Sequence, residues 1–494
     1  MTPESRLMDT NDLTSAELRV WRAFARGEVV DFRASDDEDP AQGADWGPDR
    51  TVRAIVLRAL LLNGPAQDGE IPALRLGGAR ITGVLDLQYG VIDHPLRLSD
   101  CFFEDVPRLY AARLRHLSLR GSVLPGLAAA TLRVEGNLHL TGCRFPGQVR
   151  LGGTHITGTL FLDRAEITAP DTTQPALLLD HATIGGDLRA PGLRTHGAVD
   201  LTSTSIAGSA SLDDARLSHP GSFALDAQTL LVEGDFHMRN VRTQGWIGLR
   251  GARITGRLDL SYATLSNPGD AALRASSSTI GELWLRKGPP MQGTLNLRRA
   301  QIEVLFLEPE AVPEEVLFNG LVYTDLTPHE PAERRLPMLE RDGDGYLPHD
   351  YEQLTAAYRR VGDDHAARLV QLAKQRRLRG TRAWYGRLWG YAQDATVGYG
   401  FRPLRACAWL LSLLAVGSLA YALHHPRPLK VSEAPHFNPV FYTLDLLLPV
   451  ISFGQEDAFA PDGWYQALSY ALIITGWILA TTVVTGVTRN VSRQ

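Results

Sequence analysis

Asp342, Asp344 and Tyr346 alternate with Gly343 and Gly345, which spaces oxygen donors as a hard cation such as calcium requires. A calcium loop also needs a bidentate carboxylate at its twelfth position, and Gln353 stands there, so these residues predict a polar turn instead. The acidic run Asp36, Asp37, Glu38, Asp39 predicts a solvated loop, with a metal or partner site as the second reading. His424 and His425 are adjacent and cannot share one helix face, which predicts a surface turn. The chain has no Gly-x-Gly-x-x-Gly, phosphate-loop, Cys-x-x-Cys, His-Glu-x-x-His or haem-attachment pattern. No catalytic residue, cofactor, cofactor-binding residue or metal ligand is therefore predicted. Cys101, Cys143 and Cys407 are scattered, which suits a reducing compartment and no disulfide framework.

Asp445 is the acid in the costliest setting. Ala406 to Leu423 and Gly463 to Thr488 carry no charged side chain, and in the apolar segment Asn438 to Gly454 Asp445 is the one charge. A helix needs ~20 apolar residues to cross the hydrocarbon core, so the outer two segments predict transmembrane helices at 406–423 and 463–488. The middle segment is too short to cross and return, and Pro449 ends its helix, so 438–454 predicts a re-entrant or interfacial helix. Arginines crowd before the first span, from Arg376 to Arg405, and Arg489 and Arg493 follow the second, whereas 424–462 is acid-rich. The bias of Lys and Arg toward the cytoplasm predicts a cell-membrane protein with both termini cytoplasmic and 424–462 as an outer loop.

An intramembrane acid faces water or a partner. Asn438 with Pro439 makes a good helix start, and the C-terminal carbonyls of that helix would point partial negative charge at a cation. Val450, Ile451, Ser452, Phe453 and Gly454 then occupy the place of a pore loop. Span, re-entrant helix, loop and span resemble the two-span pore module of bacterial potassium-type channels, which implies conduction by an oligomer, most simply of four subunits. Two departures take potassium selectivity out of that expectation: Ser452 replaces the first filter glycine, and Pro449 disrupts the turn before it. Thr396 to Gly400 reads Thr-Val-Gly-Tyr-Gly, a potassium filter by its letters. It precedes both spans, so it predicts an interfacial turn.

Between residues 74 and 302 a motif recurs: Leu, small residue, Ile, Gly, Leu, Leu, as in Leu151, Thr154, Ile156, Gly158, Leu160, Leu162. Its apolar branched position falls at Val134, Ile156, Ile184, Ile206, Val232, Ile254, Ile280 and Ile302. Steps of about two dozen residues with period-two alternation predict one coil each of a solenoid, nine or ten in all. Small residues such as Ala79, Ala182 and Ala252 suit tight corners, and the alternating Gly suits close backbones. The spacing resembles pentapeptide-repeat proteins without keeping a strict five-residue period, so an irregular right-handed parallel β-helix is expected.

The predicted organisation is an α-helical cap over 1–70, the β-solenoid over 71–308, a Pro-rich linker over 309–349 and a helical hairpin over 350–380. A basic, aromatic interfacial segment over 381–405 and the membrane module follow. The cap holds helices at 14–26, with Thr14 and Glu17 as a capping box, and at 48–62, with Val52, Ile55, Val56, Ala59 and Leu60 as its stripe. In the hairpin, Tyr351, Leu354, Tyr358 and Val361 share one face. A net charge of -5 gives no indication of nucleic acid. Three lysines among 50 basic residues suit a GC-rich bacterial genome.

From Trp21-Arg22-Ala23-Phe24 through Tyr351-Glu352-Gln353-Leu354 to Gly476-Trp477-Ile478-Leu479-Ala480-Thr481, the chain resembles an actinobacterial family commonly labelled membrane-associated oxidoreductases. The resemblance implies a membrane location and, by its label, redox activity, but no residue carries a flavin, nicotinamide, haem or quinone role. Three readings stand: a solenoid sensor or scaffold coupled to an oligomeric ion-conducting pore, a membrane oxidoreductase, or a membrane-anchored scaffold without conductance. The partners implied are membrane lipid, further copies of the chain, and a cytoplasmic protein or ligand on the solenoid.

Overall fold

The computed structural model describes residues 12–35, 37–65, 69–169, 174–381, 403–430, 435–448 and 452–491. It divides into two compact units, Met1–Gln353 and Leu354–Gln494. The first is a parallel β-solenoid of about 11 turns. Its strands are mostly two to four residues long, and each pairs in parallel with its counterpart in the next turn.

The repeating branched residues are register partners. Val134 pairs with Ile156, then Ile184, Ile206, Val232, Ile254, Ile280 and Ile302 in succession. The column continues to Tyr323 at one end and to Leu114 and Ile92 at the other. Buried corner residues within a turn follow steps of five and six alternately, as in Leu179, Ile184, Ala190, Thr195, Leu201, Ile206, Leu212 and Leu217. That alternation makes the 22-residue rung and explains why the five-residue period is not kept. Rungs longer than this place their extra residues on one edge. His219–Ser222 lie between Leu217 and Leu225, and Asn267–Asp270 between Leu265 and Leu273.

Stacked glycines are explained by a polar ladder. Asn137 Oδ1 accepts the Thr159 N–H at 2.9 Å, Asp187 Oδ1 the Ser209 N–H at 2.9 Å, and Asp235 Oδ1 the Arg257 N–H at 2.8 Å. The hydroxyls of Thr159 and Ser209 accept from the Asp187 and Asp235 N–H groups in the same way. A Cβ on Gly158, Gly208 or Gly256 would lie 2.2 Å from the side-chain oxygen of the neighbouring rung. The corners use left-handed backbone, at glycine in places but also at His181, Ser203, Asp214 and Asn240. Each such non-glycine residue costs on the order of 1 kcal/mol, which the stacked neighbours must offset.

At the N-terminal end, α1 (Ser15–Phe24) carries the predicted capping box between Thr14 and Glu17. Glu17, fully buried, also accepts from the Arg53 backbone and guanidinium. The segment expected as a purely helical cap also supplies strands: Val29–Asp31 pairs with Leu74–Gly77, and Thr51–Arg53 with Arg80–Thr82. Val30 and Val52 are buried and extend the apolar columns. The second helix, α2 (Ala54–Asn63), is therefore shorter than 48–62 and buries Val56, Leu57, Leu60 and Leu61, while Ile55 faces outward.

The stretch expected as a linker over 309–349 is instead more solenoid. Val316–Leu317 pairs with the 292–296 strand and Val322–Thr327 with Gln301–Leu307, because Val316, Phe318 and Tyr323 keep the apolar spacing. Pro309 and Pro331 stand at helix starts, where a missing N–H costs nothing, while Pro337 lies inside the helix that follows. There α3 (Ala332–Glu340) follows, and its fully buried Arg335 donates to the carbonyls of Leu307 and Pro328.

In the hairpin, α4 (Pro348–Arg360) precedes α5 (Asp364–Thr381), with Gly362 at positive φ between them and Asp363 capping the Ala366 N–H. Gln371 donates to Thr355 across it at 3.0 Å. Tyr351, Leu354 and Tyr358 are buried as expected, but Val361 is exposed. Further on, the described residues of the second unit hold three apolar helices: α6 (Pro403–Leu423), α7 (Pro439–Leu447) and α8 (Trp464–Val491).

Replacing Gly208 by Ala forces its Cβ onto Asp187 Oδ1 and the Gly186 carbonyl. The variant should lose about 1–3 kcal/mol in urea unfolding. Adding Asp187→Ala should recover part of that loss, since it removes one of the two collisions.

Candidate functional site

The described part of the predicted pore loop, Ser452 to Gly454, lies in the three-helix region of the second unit. Asn438 caps α7 through Oδ1, which accepts the Val440 and Phe441 N–H groups at 3.0 and 3.3 Å, and Pro439 is the first helical residue. Close glycine contacts hold α7 against both long helices. A Cβ on Gly417 of α6 would lie 2.4 Å from the Thr443 side chain, and one on Gly476 of α8 would lie 2.3 Å from the Leu447 carbonyl oxygen. Tyr421, Tyr442, Leu446, Leu447, Phe459 and Leu472 form the buried core there. The Tyr421 hydroxyl donates to the Tyr465 carbonyl at 3.0 Å, tying α6 to α8.

Asp445 is 5% exposed, and its carboxylate is directed at the loop after the helix. It accepts the N–H groups of Phe453, Gln455 and Glu456, the latter two at 2.7 and 3.2 Å. The carboxylate is thus spent on backbone donors, which lowers the cost of holding it out of water. Gln455 closes the loop by accepting from the Asn438 N–H and donating to the His436 carbonyl, both at 3.2 Å. The Ser452 hydroxyl accepts the Gly454 N–H at 3.2 Å, and Gly454 has φ +77°. Ser452, Phe453 and Gly454 are exposed, while Val450 and Ile451, with Pro449, lie outside the described residues. No sequence signal singled out Gln455, because its role is to bond backbone groups that only the folded loop brings together.

Segment 424–462 also contains an unanticipated two-stranded pairing, Arg427–Pro428 with Phe459–Ala460. His424 stacks on Tyr465 at 4.7 Å and His425 packs near Phe437 at 5.2 Å, so the two histidines do diverge. Large apolar side chains point outward along α6 and α8, among them Leu411, Leu419, Leu423, Trp464 and Ile474. Among the described residues no helix is long and apolar enough to cross a membrane. The Thr396–Gly400 pentapeptide lies outside the described residues.

The other sequence candidates have structural roles. Asp342 accepts the N–H groups of Phe318 and Asp344, and Asp344 pairs with Arg298. Glu38 pairs with Arg50 and Asp39 with Arg144, while Asp36 lies outside the described residues. Among the described residues no group of three acidic, His or Cys side chains is placed to hold a metal. Beside Asp342 lies a group that sequence reasoning missed. Asp350 is 6% exposed, its Oδ1 has no hydrogen-bond partner, and it lines a small apolar void with Leu305, Leu307, Phe318 and Met338. Burial, reinforced by the nearby Asp342 charge, pushes its carboxyl up to about 6.

Comparison with known proteins gives no match, whether to a family model, a curated protein or a solved structure. The fold itself defines the class: a parallel β-solenoid followed by a helical hairpin and a three-helix apolar region.

Two outcomes are expected. Asp445→Ala leaves three loop N–H groups without their acceptor and should lower the melting temperature and open the 452–456 loop to proteolysis, with Asp445→Asn intermediate. Asp350 is protonated more readily in the folded than in the unfolded chain, so its ionisation penalises folding above pH 6, and the penalty fades as pH falls toward 3.8. Asp350→Asn should therefore raise stability at pH 8 by up to about 3 kcal/mol and flatten the pH 4–6 portion of the profile.

Proposed function

We propose that this chain is an integral protein of the bacterial cell membrane, in which a cytoplasmic β-solenoid scaffold or sensor is joined to a pore-loop module. In that reading α6 and α8 are the two spans, α7 is the re-entrant helix, both termini are cytoplasmic, and membrane lipid contacts the outward apolar side chains. Several copies, four in the simplest closed arrangement, surround an axis lined by the loop through Gly454. The observation that carries the reading is the Asp445 clamp. A short helix gripped by two longer apolar ones, with its following loop fixed by three backbone hydrogen bonds, is what a pore loop requires. The outward apolar surface of α6 and α8 supports the membrane setting.

The same carboxylate favours a second reading, a membrane-anchored scaffold without conductance. With its oxygens used on the loop, Asp445 offers no free acid to a passing ion. The oxidoreductase label gains no support from the solenoid thiols, since burial pushes Cys101 and Cys143 up to about 12 and leaves them unreactive.

Ion flux through purified protein in liposomes separates the readings, with Gly454→Val beside the wild type. Flux in the wild type that is lost in a folded Gly454→Val oligomer is the expected result, because a branched residue at φ +77° distorts the loop. Membrane-inserted wild type that passes no ion across a range of voltages and pH would leave the anchored scaffold.

A further inference from the structure

Exposed arginines of the solenoid commonly meet an acid in the adjoining rung, as Arg189 meets Asp163, Arg239 meets Asp213 and Arg257 meets Glu282. In the column Arg194, Arg216 and Arg242 that habit is broken at the last two. The three are register partners in successive rungs and all point outward, alternating with the buried Thr195, Leu217 and Thr243. Arg194 has Glu166, but among the described residues Arg216 and Arg242 have no ion pair. Like charges directly opposed in a sheet are destabilising, and rungs lie only about 4.8 Å apart. The arrangement therefore disfavours the empty fold and favours whatever neutralises both charges together.

The surroundings specify what that is. Two residues along on the same face, Ser218 donates to Gln244 Oε1 at 2.8 Å, which turns the Gln244 amide N–H groups into free outward donors. Further along that strand Trp246 is half-buried under the Arg274 guanidinium, whose own acid is Asp270. The face thus offers two guanidiniums one rung apart that, among the described residues, have no ion pair, with neutral donors beside them. Planar guanidinium forks bind phosphate oxygens in pairs, and two forks at this spacing suit two phosphates joined to one another or to adjacent carbons. A second basic column, Arg113 with Arg133, lacks this character, because Glu135 lies on its own face and Arg115 beside it is drawn to Asp93.

We infer that the Arg216–Arg242 ladder is a binding site for a ligand bearing two neighbouring phosphate groups. Such groups occur in soluble polyphosphate and in the headgroups of multiply phosphorylated lipids, and the test distinguishes them. Full-length protein in uncharged detergent is titrated calorimetrically with tripolyphosphate and, separately, with a soluble inositol trisphosphate headgroup. Arg216→Gln/Arg242→Gln is measured beside Arg113→Gln/Arg133→Gln.

The expected result is binding that the first pair of substitutions weakens at least about tenfold and the second leaves unchanged. Tighter binding of the headgroup assigns the site to lipid, and tighter binding of tripolyphosphate assigns it to a soluble ligand. The ligand-free Arg216→Gln/Arg242→Gln protein should melt no lower than wild type, which separates lost binding from lost folding. Equal weakening by both pairs, or no wild-type binding of either probe, overturns the site.

Discussion

The solenoid depends on one constraint: each rung's backbone N–H and carbonyl groups are spent on the rungs on either side, in parallel and in register. A residue can satisfy its backbone only by standing over its counterpart, so side-chain chemistry must repeat down each column. The Val134-to-Ile302 column is the apolar form of that rule, and the Asn137, Thr159, Asp187, Ser209, Asp235 ladder is its polar form. In the second, glycine is required because a side chain from the neighbouring rung occupies the space where its Cβ would be. Stability is then shared between adjacent rungs and does not converge on one centre.

The three-helix region is organised on the opposite plan, with no repeat and a buried acid at its turning point. Asp445 sits in an apolar segment where an unpaired carboxylate would be prohibitive, and the three N–H groups that satisfy it belong to the loop it holds. Burial of the charge and order of the loop are thus one event. Gly417 and Gly476 let the neighbouring helices close on α7 from both sides, so the acid and its loop are positioned by packing on the helix that bears them.

Periodicity made the solenoid legible in advance. Every branched position identified from spacing alone turned out to be a register partner of the next. The left-handed corners at His181, Ser203 and Asp214 were not legible, since nothing in those residue types demands positive φ and only the stack imposes it. Prolines between 309 and 349 read as a break because proline interrupts strands, whereas these stand beside the strands and the apolar spacing of Val316, Phe318 and Tyr323 continues. For Asp445, composition revealed that the charge was anomalous. Its partners could not be read, because backbone donors carry no side-chain signature.

Two of the longer rungs gain their length where the chain can leave the stack without shifting its neighbours. The extra residues at 219–222 and 267–270 sit at equivalent points, two rungs apart, with the compact rung through Gly245 between them. At about 4.8 Å per rung, that leaves each excursion roughly 10 Å of clearance from the next. Insertions and deletions acquired along this edge would change the outline of one wall and leave every column in register. The edge is therefore the part of the molecule where related chains can diverge in length most freely, and where a grafted peptide would be tolerated.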